Sequence, residues 1–154
     1  MKHYMFDTNI FNQILDSGFD MTLLTSEARY FVSHIQFDEI QKTRDLERRE
    51  QLLSVFERIP QERIPTESAV WDVSRWDEAK WSSGSSPYNE ILNRLNKRNR
   101  DKPNNVQDAL IAETAIENGI ALVTRDSDLL AVVRGSKGDV LSFNEFLTML
   151  RDEI

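Results

Sequence analysis

The chain has 154 residues, 26 Asp+Glu against 19 Lys+Arg, a formal net charge of −7, 40% hydrophobic residues and no cysteine. That length suits one domain over residues 1–154 with a real core, the apolar fraction excludes general disorder, and the missing thiols exclude disulfide scaffolds, thiolate zinc sites, iron–sulfur clusters and cysteine nucleophiles. No apolar run nears the roughly 18–20 residues that span a bilayer and Met1–Phe6 is too short for a signal-peptide core, so a cytoplasmic chain without membrane contact is expected, and its acidic balance points away from broad polyanion binding.

In chain order, His3–Phe6 reads as a short buried strand that breaks at Asp7. Thr8 or Asn9 is then placed to cap a helix with Ile10, Phe11, Ile14 and Leu15 on one face, stopped at Ser17-Gly18. Tyr30–Ile35 is a second β-rich segment. From Phe37 to Ile59 the sequence is charged and helical, with Leu52, Leu53, Phe56 and Ile59 as its apolar face, and Pro60 and Pro65 close it. Ser68–Trp81 has a helical composition, and Ser82–Pro87 reads as a connector. Residues 93–102 are polar and basic up to Pro103. Asn104 or Asn105 caps a helix over Val106–Glu117 that stops at Asn118-Gly119. Ile120–Thr124 is a buried strand followed by the turn-like Arg125-Asp126-Ser127-Asp128, and Val140-Leu141 gives one more strand. Ser142 and Glu145 have capping-box spacing and open a last helix to about Arg151. Apolar strands alternating with helices predict a three-layer α/β/α fold around a mostly parallel sheet.

In open parallel sheets, ligands bind at the carboxyl ends of the strands, beside the point where strand order reverses. Asp7 directly follows one predicted strand and Asp126 follows the strand Ile120–Thr124, Glu39 follows the second apolar segment, and Asp108 lies in the first turn of a helix. Four carboxylates from distant parts of the chain are thus expected at one edge. Two unit charges about 4 Å apart repel by roughly 4 kcal/mol at an effective dielectric of 20, so such a cluster requires protons or cations. Without cysteine and with two histidines, the donor set selects a hard oxygen-loving ion, Mg²⁺ or Mn²⁺. Each residue also has an ordinary structural role. Asp7 and Asn9 suit a helix cap, Asp108 complements a helix dipole, Glu39 suits a solvated helix, and Asp126 and Asp128 suit a turn.

With those residues in view, Met5-Phe6-Asp7-Thr8-Asn9-Ile10-Phe11 resembles the opening of PIN domains, particularly VapC-like toxin ribonucleases. The stretch Asp108–Asp128 resembles that family's third and fourth acidic motifs, and His34–Ile40 its second, without the glycine often seen after it. The resemblance implies an α/β/α fold and a Mg²⁺- or Mn²⁺-dependent endoribonuclease acting on single-stranded RNA. It also implies an antitoxin protein partner and a homodimer. Carried over by position, Asp7, Glu39, Asp108 and Asp126 match the catalytic, metal-holding acids, with Asp128 as an alternative to Asp126. Thr8, Asn9 and Thr124 match polar positions that hold water or ligands. The chain departs from the pattern over residues 63–102, and Leu129 replaces a usual aromatic.

Arg94, Lys97, Arg98, Arg100 and Lys102 form the chain's basic cluster, read either as phosphate contacts beside the acids, Arg98 and Arg100 foremost, or as a solvated face. Trp71, Trp76 and Trp81, five apart, cannot share one helical stripe, so at least one is expected outside the core, as a base-stacking or partner surface. His3 and His34 are placed on strands, where a metal-free ribonuclease would need them together. Two rival functions stay open: a non-catalytic module binding RNA or protein, and a phosphatase-like hydrolase using Asp7 as nucleophile. The latter wants a second Asp where Asn9 stands.

Overall fold

A computed structural model describes residues 1–24, 27–67 and 87–152. The tryptophan segment and the connector through residue 86 lie outside the described residues. Five strands, β1 (Lys2–Phe6), β2 (Ala28–Val32), β3 (Gln61–Arg63), β4 (Ala121–Thr124) and β5 (Val140–Ser142), form one sheet in the order β3-β2-β1-β4-β5. Every pairing is parallel, with Tyr4 opposite Tyr30 on one side and Ala121 on the other. The helices are α1 (Thr8–Ser17), α2 (His34–Gln41), α3 (Leu46–Arg58), α4 (Tyr88–Asn99), α5 (Asn105–Glu117), α6 (Ser127–Gly135) and α7 (Phe143–Asp152), with a 3-10 turn at Met21–Leu23.

Strand alternation divides the core in two. Tyr4, Phe6, Tyr30 and Val123 face a cluster with Phe11 and Ile14 of α1, Leu52 and Val55 of α3, and Phe146 and Leu150 of α7. Met5, Phe31 and Leu122 face the other cluster, with Ile91 of α4, Leu110 of α5 and Leu129 and Val133 of α6. Consecutive residues point to opposite faces of a strand, so a strand covered on both sides must be apolar throughout, as Tyr4-Met5-Phe6 is. The expected three-layer α/β/α architecture is the one observed, with the sheet parallel throughout the described residues.

The elements depart from expectation at several places, each for a physical reason. The cap of α1 is Asp7 itself, whose side chain accepts from Thr8 N, and neither Thr8 nor Asn9 fills that role. Gly18 ends the helix at φ 64°, a left-handed conformation that needs no Cβ, and Gly119 does the same after α5. The second apolar segment leaves the sheet at Val32, because Ser33 caps α2, so His34 and Ile35 are helical. The charged stretch that follows is two helices, broken before Asp45, which caps α3. Gln61–Arg63 adds an edge strand too polar to carry an apolar signal. Residues 93–99 belong to α4, seated on buried Ile91 and Leu95. Asn104 holds the cap position of α5 without a side-chain bond, while Asn105 is buried and exchanges amide hydrogen bonds of 2.8 Å with Asn99 and a further one with Asn96. The turn-like segment after β4 continues into α6, with Asp126 as its cap. The capping box of α7 forms as expected, Glu145 N donating to Ser142 Oγ at 3.1 Å and Ser142 N to Glu145 Oε1 at 3.0 Å.

One buried side chain joins the site's two halves. Gln36 donates from Nε2 to the Phe6 carbonyl at 3.2 Å and accepts at Oε1 from Ser33 N at 3.1 Å. It thereby fixes α2 against the carboxyl end of β1, and Glu39, three residues on, shares its helix face. Gln36→Leu keeps much of the volume and leaves these backbone groups unpaired. It is expected to lower unfolding free energy by ~1–3 kcal/mol in urea titration, and an unchanged midpoint would contradict this role.

Candidate functional site

Strand order runs outward from β1 in both directions, so the switch point lies between the carboxyl ends of β1 and β4. Asp7 stands there, 3% exposed. Its Oδ1 accepts from Thr8 N at 2.8 Å, capping α1, and its Oδ2 accepts from the Thr124 hydroxyl of β4 at 2.7 Å. The structural and the site role of this carboxylate therefore coexist. Thr124 Oγ1 also accepts from Asp126 N at 3.1 Å, and the Asn9 amide approaches it at 3.5 Å. Asn9 Oδ1 in turn accepts from Arg125 N at 3.2 Å. This mesh locks the ends of β1 and β4 together and orients the Asp7 carboxylate.

Glu39 comes from the last turn of α2, half-buried, and its Oε1 accepts from the Thr8 hydroxyl at 2.8 Å. Asp108 comes from the first turn of α5, where the buried Asn105 bonds moor that helix to α4. Asp126 caps α6, accepting at Oδ1 from Asp128 N at 2.8 Å and Leu129 N at 3.3 Å. Asp128 turns outward and pairs with Arg98 of α4 at 2.9 Å. Arg100 is exposed just past α4, in the left-handed region at φ 59°. The two histidines are held apart: His3 is near the amino end of the sheet, packed edge-on against Phe31, and His34 starts α2 beyond the carboxyl end of β2.

The electrostatics bind the four acids into one unit. Burial pushes the Asp7 carboxyl up to about 6, with the charge of Asp126 adding to it against hydrogen bonds from Thr124 and Thr8. Burial, then the Asp7 charge, pushes Glu39 up to about 7. Asp108 rises furthest, to about 9, from burial first and then from Asp7, Glu39 and Asp126, with Lys102 pulling the other way. These are the signatures of carboxylates that share a poorly hydrated pocket and keep protons there.

Among the described residues, no three His, Asp or Glu side chains already stand around a common coordination point. Asp7 and Glu39 each commit an oxygen to a threonine hydroxyl, so the acids face one another through space. The donor set is nonetheless all hard oxygen, the chemistry that suits a hard divalent ion. Sequence reasoning missed Gln36, which places Glu39, although Ser33-His-Ile-Gln36 carries the capping-box spacing that signals it.

No family model matches the sequence, and no curated protein matches it. Solved structures do. The chain is similar to VapBC2 from Rickettsia felis, solved bound to a DNA fragment from their promoter, at TM-score 0.58 and 22% identity, over 91% of this chain and 98% of that one. It is similar to the PIN domain endonuclease Utp24 at TM-score 0.57 and 18% identity, over 91% and 84% of the two chains. A DNA-bound VapBC from Salmonella typhimurium gives TM-score 0.53 and 17% identity, over 92% and 98%. The fold is the PIN fold of these VapBC and endonuclease structures.

Asp7, Glu39 and Asp108 bind protons more tightly folded than unfolded. Their unfavourable contribution is absent below the ordinary values of 3.8 for the aspartates and 4.5 for Glu39, and complete above about 6, 7 and 9 respectively. In EDTA the melting temperature is therefore expected to fall as pH rises from 4.5 to 9. Asp108→Asn removes the alkaline part of that fall. At pH 9 it is expected to add ~1–3 kcal/mol, each kcal/mol being about 2–4 °C at this length. A melting temperature that rises over this range, measured by calorimetry, would contradict the buried cluster.

Proposed function

We propose that this PIN-fold chain is a metal-dependent endoribonuclease, the toxin half of a toxin–antitoxin pair. The observation that carries the reading is the set of four acids, Asp7, Glu39, Asp108 and Asp126, brought from four separate elements to the switch point of a parallel sheet, where burial and then neighbouring carboxylates raise the proton affinity of Asp7, Glu39 and Asp108. A structural role for any one acid does not account for the set. The PIN fold agrees with this reading, because one similar structure is a PIN domain endonuclease and two are VapBC proteins.

Asp7, Glu39, Asp108 and Asp126 would hold Mg²⁺ or Mn²⁺, with Asp128 at the rim. Held by these residues, a hard divalent ion would supply charge neutralisation at a phosphodiester and a more acidic water, the chemistry of a hydrolysis that leaves a 5′-phosphate and a 3′-hydroxyl. The chain's own groups set the geometry. Thr124 aims one oxygen of Asp7 and Thr8 aims one of Glu39, so neither carboxylate rotates freely. Asn9 bridges Thr124 to the backbone of Arg125, holding the floor beneath the reacting phosphate. Arg98 and Arg100 would meet phosphates of the approaching strand, Arg98 by exchanging Asp128 for a phosphate oxygen. The expected partners are an RNA substrate, an antitoxin protein and a second copy of the chain. No helix of the described residues is long and apolar enough to cross a membrane.

The phosphatase-like alternative gains nothing from the structure. Both Asp7 oxygens already accept hydrogen bonds, and Asn9, at the position an acid would need, is occupied by Thr124 and Arg125.

Purified protein with Mg²⁺ or Mn²⁺ is expected to cleave single-stranded RNA to 5′-phosphate ends, with the activity lost in EDTA and restored by the metal. Asp7→Asn should lower the rate by at least about a hundredfold while the fold, read by circular dichroism, persists. Cleavage undiminished in EDTA, or by the Asp7→Asn protein, would overturn the reading.

A further inference from the structure

Beside the carboxylate cluster lies a second concavity, of about 340 Å³, between α1 and the amino ends of α6 and α7. It lies at the carboxyl ends of β4 and β5, and Thr124 is the shared wall. The hydroxyl that bonds Asp7 belongs to a residue that also lines this cavity. Leu130 and Phe143 supply an apolar side, and Gln13, Arg125, Ser127 and Asn144 supply polar groups. None of these four polar side chains makes a hydrogen bond or ion pair among the described residues, although Arg125 senses the charge of Asp16. The site thus offers an uncommitted guanidinium, two uncommitted amides and a hydroxyl around a partly apolar space. Its volume lies at the small end of the about 300–1,000 Å³ typical of small-molecule sites.

That combination has a matching ligand. Amides carry a donor and an acceptor side by side and pair with a nucleobase edge. A guanidinium takes a phosphate oxygen bidentately, and the apolar wall suits a base face. We propose that this cavity is a nucleotide subsite, holding the base next to the scissile phosphate, with Gln13 and Asn144 reading the base edge and Arg125 holding the adjoining phosphate. The assignment rests on the ribonuclease reading above. It adds to that reading the residues that select where the strand is cut.

The test uses the full chain with Mg²⁺ and the four ribonucleoside 5′-monophosphates, observed through the side-chain amide signals of Gln13 and Asn144 in ¹⁵N NMR, with inorganic phosphate in parallel. Both amides are expected to shift with the nucleotides and not with phosphate. One nucleotide should bind on the order of tenfold more tightly than the poorest. That difference should disappear in the Gln13→Ala/Asn144→Ala double variant, and Arg125→Ala should weaken all four alike. Nucleotides that shift signals around Asp7 and Asp108 alone, phosphate shifts identical to the nucleotide shifts, or an unaltered ranking in the double variant would overturn the subsite. RNA cleavage by the unmodified chain, assayed on the same sample, reports separately on the ribonuclease reading. Cleavage together with silent Gln13 and Asn144 amides defeats the subsite alone.

Discussion

The hydrogen bond from Thr124 to Asp7 joins the ends of the two strands that flank the switch point, and the site depends on that junction. Asp7 is almost wholly buried and is held at both oxygens, one by the start of α1 and one by β4. A buried carboxylate so fixed cannot turn away from its neighbours. Glu39 and Asp108, delivered by α2 and α5, therefore meet a constant negative field and retain protons well above their ordinary range. An isolated surface aspartate would have water to screen it. Here desolvation is the larger cause for all three raised groups, and mutual repulsion adds to it.

Such an arrangement opposes folding, and the rest of the molecule offsets it. Two apolar layers close over the sheet, with Tyr4, Phe6 and Phe146 packed edge to face on one side. Buried amide contacts fix the helices that carry the acids: Gln36 ties α2 to β1, and Asn105 ties α5 to α4. The scaffold thus holds three carboxylates in a place that burial makes unfavourable for their charge. The net charge of −7 acquires a local meaning from this. Part of the acidic excess is concentrated where a hard cation would reverse its sign, and the charges of Lys42 and Lys102 act on Glu39 and Asp108.

The strands before Asp7 and Asp126 are legible because fully buried parallel strands leave uninterrupted apolar runs, and the helix of Asp108 is legible from its Asn104-Asn105 start and its Asn118-Gly119 stop. Those signals are local. The position of Glu39 near a strand's carboxyl end is readable, but the start of its helix is not, since the apolar run Tyr30–Ile35 crosses the Ser33 cap without a change in hydrophobicity. The edge strand Gln61–Arg63 left no trace because one neighbour and an exposed face demand no apolar side chains. Helix α6 was hidden by Asp126-Ser127-Asp128, a sequence that suits a turn and a helix cap equally, even though Leu129, Val132 and Val133 follow at helical spacing. What links Asp126 to Asp7 is a threonine hydroxyl more than a hundred residues from one of its partners, and no local pattern encodes that contact.

The central claim, that these four carboxylates form one site for a hard divalent ion, is tested most directly by a crystal structure of the chain grown with Mn²⁺ and measured near the manganese absorption edge. The account predicts an anomalous peak bounded by Asp7, Glu39, Asp108 and Asp126, lost in Asp108→Asn. A crystal saturated with Mn²⁺ that shows no peak among those four side chains would contradict it.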